Sequence, residues 1–132
     1  DPSIACRALG AYKDDLINDL KSFGLIFEDM VVRDLKIYAD KLGGEVYHYR
    51  DRSGLEADAI IHLENGKWAA FEVKLYDSDR IEEGANNLLK LMNLIDEQKM
   101  KKPEFLMVIT ATQYAYQRED GVWVVPLACL KD

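Results

Sequence analysis

Apolar and polar residues alternate along two neighbouring stretches in the middle of the chain. Within residues 55–75 almost every odd position is apolar, apart from the connection between the two stretches. The even positions carry Glu56 and Asp58 in the first stretch, and Glu72 and Lys74 in the second. Alternation with a period of two is typical of β-strands, because successive side chains point to opposite faces. The pattern therefore predicts two strands that each have an apolar odd face and charged residues on the even face.

The connection between the two strands determines which residues lie opposite each other. Asn65-Gly66 favours a two-residue hairpin turn, and such a turn would pair Glu64 with Lys67 and place Asp58 opposite Val73. That register would split the two apolar faces, which is strongly disfavoured where one face of a sheet is buried. The two-residue turn is therefore not the predicted connection.

A three-residue loop over residues 64–66 keeps each apolar face continuous. We predict this loop, formed by a type I turn followed by Gly66 in the left-handed region. The opposite pairs are then Leu63 with Lys67, Ala59 with Phe71, Asp58 with Glu72, and Glu56 with Lys74.

The predicted register places two carboxylates, Asp58 and Glu72, directly opposite each other. Like charges in this position repel each other, so the pair requires a positive partner. Lys74 is one candidate, and a hard divalent cation such as Mg²⁺ or Mn²⁺, which takes oxygen ligands, is the other. The pattern therefore predicts a metal-dependent nuclease-type site.

The rest of the chain predicts helices around further strands. Helical spacing, capping residues and breakers predict helices over residues 1–9, 13–20, 23–42 and 77–98. Strands are predicted over residues 45–50, 105–110, 114–117 and 122–125. The nearly all-apolar run Phe105–Thr110 suits a central strand that is buried on both faces and reached by a helical crossover. The last two strands would form a C-terminal hairpin.

Glu28 differs from the other charged residues of the helix over residues 23–42. The predicted buried stripe is Phe27, Val31, Leu35, Tyr38 and Leu42, and the exposed stripe is Asp29, Arg33, Lys36 and Asp40. Glu28 lies at the margin of the buried stripe, where a carboxylate needs a partner because burying it alone costs several kcal/mol. It either forms a salt bridge with a lysine or arginine, or it points over the sheet at the metal. In the helix over residues 77–98 the predicted apolar stripe is Ile81, Ala85, Leu88, Met92 and Ile95. Asn86, Asn87 and Lys90 lie off this stripe and face either a substrate groove or solvent.

Composition narrows the function classes. The chain has 132 residues, the length of one domain, and a net charge of −7, which works against long-range attraction of nucleic acid. Cys6 and Cys129 have no CxxC or Cys/His spacing, so a zinc site is not expected. No signal peptide and no apolar run of roughly 20 residues is present, so we expect a cytoplasmic protein that is not inserted in a membrane.

The element order helix, three strands, helix, strand resembles the PD-(D/E)xK nuclease superfamily, which has the restriction-endonuclease-like fold. The resemblance is carried by Glu28, Asp58 and Glu72-Val73-Lys74 and covers residues 23–110, with Ala57 at the position of the superfamily's variable proline. It implies an α/β fold with a central mixed β-sheet flanked by helices, an αβββαβ core, and here a C-terminal hairpin. It also implies that Glu28, Asp58, Glu72 and Lys74 are the catalytic set.

The same resemblance implies a metal site for Mg²⁺ or Mn²⁺. Its ligands would be Asp58, Glu72, the carbonyl of Val73 and Glu28. The predicted register adds Glu56, which lies opposite Lys74 and would hold the lysine or bind a second metal ion.

A second resemblance extends over nearly the whole chain. The segments FEDMVVRDLKIYA, VYHYRD, GLEADAII and AAFEVKL resemble the uncharacterised C-terminal domain of bacterial AAA+ ATPases of the domain-of-unknown-function class. The chain has no GxxxxGK[ST] loop. The resemblance therefore implies that residues 1–132 are a single domain, the C-terminal fragment of a larger ATPase, with the N-terminal ATPase domain of the same full-length chain and nucleic acid, DNA above all, as partners.

Three functions are open at this point. The domain is a Mg²⁺- or Mn²⁺-dependent endonuclease, or a catalytically inactive accessory domain in which Lys74 is salt-bridged to Glu56 and Glu72. The third alternative is an interaction domain that only oligomerises.

Overall fold

A six-stranded mixed β-sheet lies between two helices, which makes this an α/β fold. The structure is a computed structural model that describes residues 20–130. The helix predicted over residues 1–9, and all but Leu20 of the one predicted over residues 13–20, lie outside the described residues. The elements are α1 (Leu20–Lys41), β1 (Gly44–Arg50), β2 (Glu56–Leu63), β3 (Trp68–Val73), α2 (Ser78–Asn93), β4 (Phe105–Thr110), β5 (Tyr116–Gln117), β6 (Trp123–Pro126) and a 3₁₀ helix (Leu127–Leu130).

The strands lie in the order β1-β2-β3-β4-β6-β5. Strand β2 is antiparallel to both β1 and β3, β4 runs parallel to both β3 and β6, and β5 is antiparallel to β6. Helix α2 connects the parallel pair β3 and β4. The predicted mixed sheet, the central position of the run Phe105–Thr110, the helical crossover and the C-terminal hairpin are therefore confirmed.

The hairpin between β2 and β3 has the predicted register. Leu63 N–H donates to the carbonyl of Lys67 at 2.8 Å, and Gly66 N–H donates to the carbonyl of Leu63 at 3.0 Å. Gly66 has a φ of +87°, the left-handed conformation that the three-residue loop requires. Ala59 lies opposite Phe71 as expected, and this is the last pair of the ladder.

A β-bulge in β2 interrupts the alternation that the sequence predicts. Tyr47 and Tyr49 of β1, two residues apart, pair with Ile60 and Ala57 of β2, which are three residues apart. The extra residue makes Ala57 pack on the α2 side of the sheet and Ala59 on the α1 side. The prediction of a single odd apolar face in β2 is therefore wrong at Ala57, because a bulge shifts the phase of the strand.

Two hydrophobic clusters, one on each face of the sheet, hold the helices in place. On one face α1 buries Phe27, Val31 and Leu35 against the sheet. On the other face α2 buries Ile81, Ala85 and Leu88. The periodic stripes of both helices are thus confirmed in their central turns, and the predicted exposed stripe of α1 is exposed.

The helix ends differ from the prediction. Helix α1 ends at Lys41, and Leu42, which was placed in the buried stripe, is 64% exposed because Gly43 turns the chain with a φ of +73°. Helix α2 starts at the predicted cap, where the Asp77 side chain accepts from Asp79 N–H, but it ends at Asn93 rather than near Gln98. No helix within residues 20–130 is long and apolar enough to cross a membrane.

Candidate functional site

Asp58 lies in the bulge of β2, beside the end of β3. Its Oδ2 accepts a hydrogen bond from the backbone N–H of Val73 at 2.7 Å. The backbone ladder between the two strands has ended one pair earlier, at Ala59 and Phe71. The carboxylate of Asp58 thus bonds an N–H just beyond the ladder, and this bond holds its side chain at the end of β3.

Glu72 is a buried carboxyl group in contact with Asp58. It is 2% exposed, and hydrogen bonds link its side chain with those of Asp58 and Asn87. Burial, followed by the contact with Asp58, raises the pKa of Glu72 to about 10, although the charge of Lys74 and the bond from Asn87 oppose this shift. In the protein alone this raised pKa keeps Glu72 protonated at neutral pH.

Glu28 lies on helix α1 and contacts Asp58 of the sheet. It is half-buried on α1, and a hydrogen bond links its side chain with Asp58. Burial and then the charge of Asp58 raise the pKa of Glu28, with smaller contributions from Asp29 and Glu56. Glu28 had two predicted alternatives, and its side chain points at the predicted site. Among residues 23–130, no lysine or arginine forms an ion pair with it.

Lys74 lies on the same side of the sheet as Glu72, against helix α2. A β-carbon at Gly84 would lie 3.2 Å from Lys74 Cγ and 3.4 Å from Glu72 Cβ, so the glycine provides the space that both side chains occupy. The ammonium group is close enough to lower the pKa of Glu72. Within the described part of the chain, no ion pair shorter than 4.0 Å involves Lys74.

Glu56 does not take the predicted position opposite Lys74. The β2–β3 ladder stops before reaching it, and Glu56 instead pairs with Arg50 of β1. Its Oε2 lies 3.9 Å from Nε2 of His48, and its charge contributes to the raised pKa of Glu28. The expected Glu56–Lys74 pair is therefore wrong, because the bulge ends the regular pairing at that point.

Asn87 and Gly84 belong to the site but were not assigned to it from the sequence. Asn87 bonds Glu72, and Gly84 makes room for Lys74. The available signal was a glycine in mid-helix, which costs about 1 kcal/mol relative to alanine and often has a packing reason, followed three residues later by an amide beside the apolar stripe.

Two clefts open beside the acidic residues. A cleft of about 570 Å³ is bordered by Glu28, Lys74 and Arg80. A second cleft of about 660 Å³ lies between the loop before β2 and helix α2, and Asn87 and Lys90 are in its wall. Only the first cleft is bordered by an acid of the site. Asn87 and the exposed Lys90 thus line a cleft, whereas Asn86 is exposed and lines neither of the two clefts.

The donor atoms suit a hard cation, although the carboxyl groups are joined to one another in pairs. In residues 20–130, no three histidine, cysteine, aspartate or glutamate side chains are already arranged to hold a metal ion. Asp58 instead bridges Glu28 and Glu72 through hydrogen bonds. Carboxylate oxygens are the ligands that Mg²⁺ and Mn²⁺ prefer, so cation binding here requires the shared protons to leave and the side chains to adjust.

Comparison with known proteins gives a family without an assigned activity. Residues 23–130 match the family described as Domain of unknown function (DUF4143), and this range includes all the acids of the site and Lys74. No curated protein and no solved structure matches the chain. The match covers most of the chain, which therefore belongs to the DUF4143 family.

Proposed function

We propose that this domain is a metal-dependent phosphodiesterase of the PD-(D/E)xK type, with Glu28, Asp58, Glu72 and Lys74 as its site. The observation that carries the proposal is the chain of contacts Glu28–Asp58–Glu72 with a lysine beside it. Holding three carboxyl groups together raises two of their pKa values and opposes folding at neutral pH. Strongly perturbed groups of this kind concentrate at functional sites.

The proposed chemistry assigns a task to each group. Mg²⁺ or Mn²⁺ held by Asp58, Glu72, Glu28 and the carbonyl of Val73 would supply Lewis acidity toward a phosphate and lower the pKa of a bound water. Lys74 would stabilise the negative charge that develops on the phosphate. The backbone N–H of Val73 orients Asp58, and the amide of Asn87 orients Glu72.

The arrangement of elements supports the same proposal. The helix, three strands, crossover helix and central strand follow the αβββαβ order of restriction-endonuclease-like domains. The substrate we propose is nucleic acid, DNA above all. We also propose that the domain acts in the cytoplasm beside an N-terminal ATPase domain of the same full-length chain.

Cleavage of a supercoiled plasmid in the presence of Mn²⁺ tests this function. Lys74→Ala should lower the cleavage rate at least 100-fold, because it removes the positive charge next to the reacting phosphate, and one such electrostatic contact is worth about 10²–10³ in rate. Lys36→Ala, at an exposed position of α1, is the matched control and should cleave like the parent. Equal cleavage by both variants would show that Lys74 takes no part in catalysis and would contradict the mechanism.

A catalytically inactive accessory domain is the second candidate. The net charge of −7 favours it, and so does the proton that satisfies Glu72 and Asp58 without any metal. Calorimetric titration with Mn²⁺ in buffers of different ionisation enthalpy separates the two. A domain with a metal site should bind Mn²⁺ saturably and release protons, because the metal ligands must be deprotonated. The accessory domain should show neither saturable binding nor proton release.

A further inference from the structure

The cleft between helix α2 and the loop before β2 includes Asn87, which also contacts Glu72 of the acidic site. Its helical wall presents Asn87, Lys90 and Asn93, which are three residues apart along α2, followed by Leu94. The opposite wall is formed by residues 53–55. Asn87 is shared by the cleft and the site, because the same side chain lines the cleft and bonds Glu72.

The loop wall of this cleft is held by Asp51. Its Oδ1 accepts hydrogen bonds from Ser53 N–H at 2.9 Å, from Ser53 Oγ at 2.6 Å and from Leu55 N–H at 3.1 Å. The Tyr49 hydroxyl donates to the other carboxylate oxygen at 3.1 Å. These bonds, chiefly the one from the Ser53 hydroxyl, lower the pKa of Asp51. Asp51, which precedes the loop wall of the cleft, is thus engaged in fixing the loop.

The charge of the lining distinguishes this cleft from the rest of the molecule. The chain has 24 acidic and 17 basic residues, yet the residues lining this cleft include one charge, the ammonium of Lys90, together with two amides. In the other cleft, Lys74 and Arg80 are accompanied by Glu28 and Asp77. An anionic ligand is therefore repelled less beside Lys90 than in the cleft that contains acids.

We propose that this cleft binds the backbone of a single nucleic acid strand and leads it to the acidic site. Lys90 contacts a phosphate, the amides of Asn87 and Asn93 bond sugar or base atoms, and the exposed Leu94 covers an apolar base face. The inference rests on the proposed function, since it makes the cleft an extension of the same site.

Charge density favours a single strand over a duplex. A duplex carries one negative charge per about 1.7 Å of its axis, whereas one strand carries one per about 3.4 Å, so a chain with a net charge of −7 repels the duplex more strongly. The cleft volume of about 660 Å³ also lies in the size range of small-molecule sites. One cation in a cleft of this size suits one phosphate of a strand rather than the paired backbones of a duplex.

Fluorescence anisotropy with a short labelled oligothymidine, measured in EDTA, tests the cleft without requiring metal or cleavage. Lys90→Gln should weaken binding about five-fold or more and reduce the slope of log affinity against log salt by about 0.7, the value for one phosphate contact on a single strand. Lys36→Gln, another exposed helix lysine, should leave both quantities unchanged. Thermal melting of both variants checks that they are folded.

Three results would overturn the proposal: no binding by the parent protein at low salt, equal affinities of the two variants, or duplex binding as tight as single-strand binding. These failures are distinguishable from a failure of the proposed function. If Lys74→Ala cleaved as well as the parent while Lys90→Gln still lost affinity, the proposed strand binding in the cleft would be supported and the proposed cleavage mechanism would be contradicted. If Lys74→Ala lost cleavage while Lys90→Gln and Lys36→Gln bound equally well, the cleavage mechanism would be supported and strand binding in the cleft would be contradicted.

Discussion

Glu72 is a carboxyl group with almost no contact with water, and its neighbours decide whether it is charged. Ionising it in place would bring a second negative charge against Asp58 inside the protein, with only the charge of Lys74 and the Asn87 bond in compensation. The group therefore holds a proton that its counterpart in the unfolded chain releases. This difference in bound protons makes the stability of the domain depend on pH.

The sign of that dependence follows from the raised pKa of Glu72. Between its ordinary pKa of 4.5 and about 10 the folded protein binds one more proton than the unfolded chain, so stability in EDTA should fall as the pH rises from 5 to 9. The limit for one proton is about 1.4 kcal/mol per pH unit, and Glu28 adds to the effect in the same direction. Asp51 and Asp120 have lowered pKa values and act only in more acidic solution.

Replacing Glu72 with Gln should flatten this pH dependence, because glutamine imitates the protonated carboxyl group without titrating. Urea denaturation of the protein at several pH values between 5 and 9 measures the effect. Glu82→Gln on the exposed face of α2 is the control and should keep the slope of the parent. A parent protein that is equally stable at both ends of this range would show that Glu72 is ionised in the folded state.

Among the helices and strands, the features that the sequence predicted correctly are those that depend on residues close together in the chain. The register of the hairpin followed from the apolar faces and from Gly66, whose positive φ is what the three-residue loop demands. The central turns of α1 and α2 followed from helical spacing. The register in turn placed Asp58 next to Glu72, which accounts for most of the site that sequence reasoning assembled.

The bulge in β2 could not be predicted from the pattern. It moves Ala57 and Ala59 to opposite faces, and alanine is small and apolar enough to pack on either face, so the alternation looks unbroken. The error at Glu56 has this origin. The role of Gly84 and the contact of Asn87 with Glu72 were not predicted for another reason. Both depend on which strand residues α2 crosses, and this is set by packing between distant parts of the chain.

At the scale of the whole molecule, the site joins three separate elements of the fold. Glu28 comes from α1, Asp58 from the bulge of β2, and Glu72 from the end of β3. These acids lie between the two layers of helices, and no single element contains them all. A ligand that needs all three acids can therefore bind only when α1, β2 and β3 are assembled, so its binding energy should stabilise the packing of the helix on the sheet.

Binding of Mn²⁺ at the proposed metal site should for this reason raise the melting temperature of the domain. At a concentration one hundred times the dissociation constant, binding contributes about 2.7 kcal/mol, which for a chain of this length corresponds to roughly 10 °C. The rise should be larger at pH 8 than at pH 6, since the cation competes with the protons that Glu72 and Glu28 retain. Asp58→Asn removes the carboxylate that touches both neighbours and should abolish the rise, whereas Glu82→Gln should keep it. If Mn²⁺ raised the melting temperature of Asp58→Asn by the same amount, the cation would bind elsewhere on this acidic chain. The carboxyl cluster would then not be the metal site.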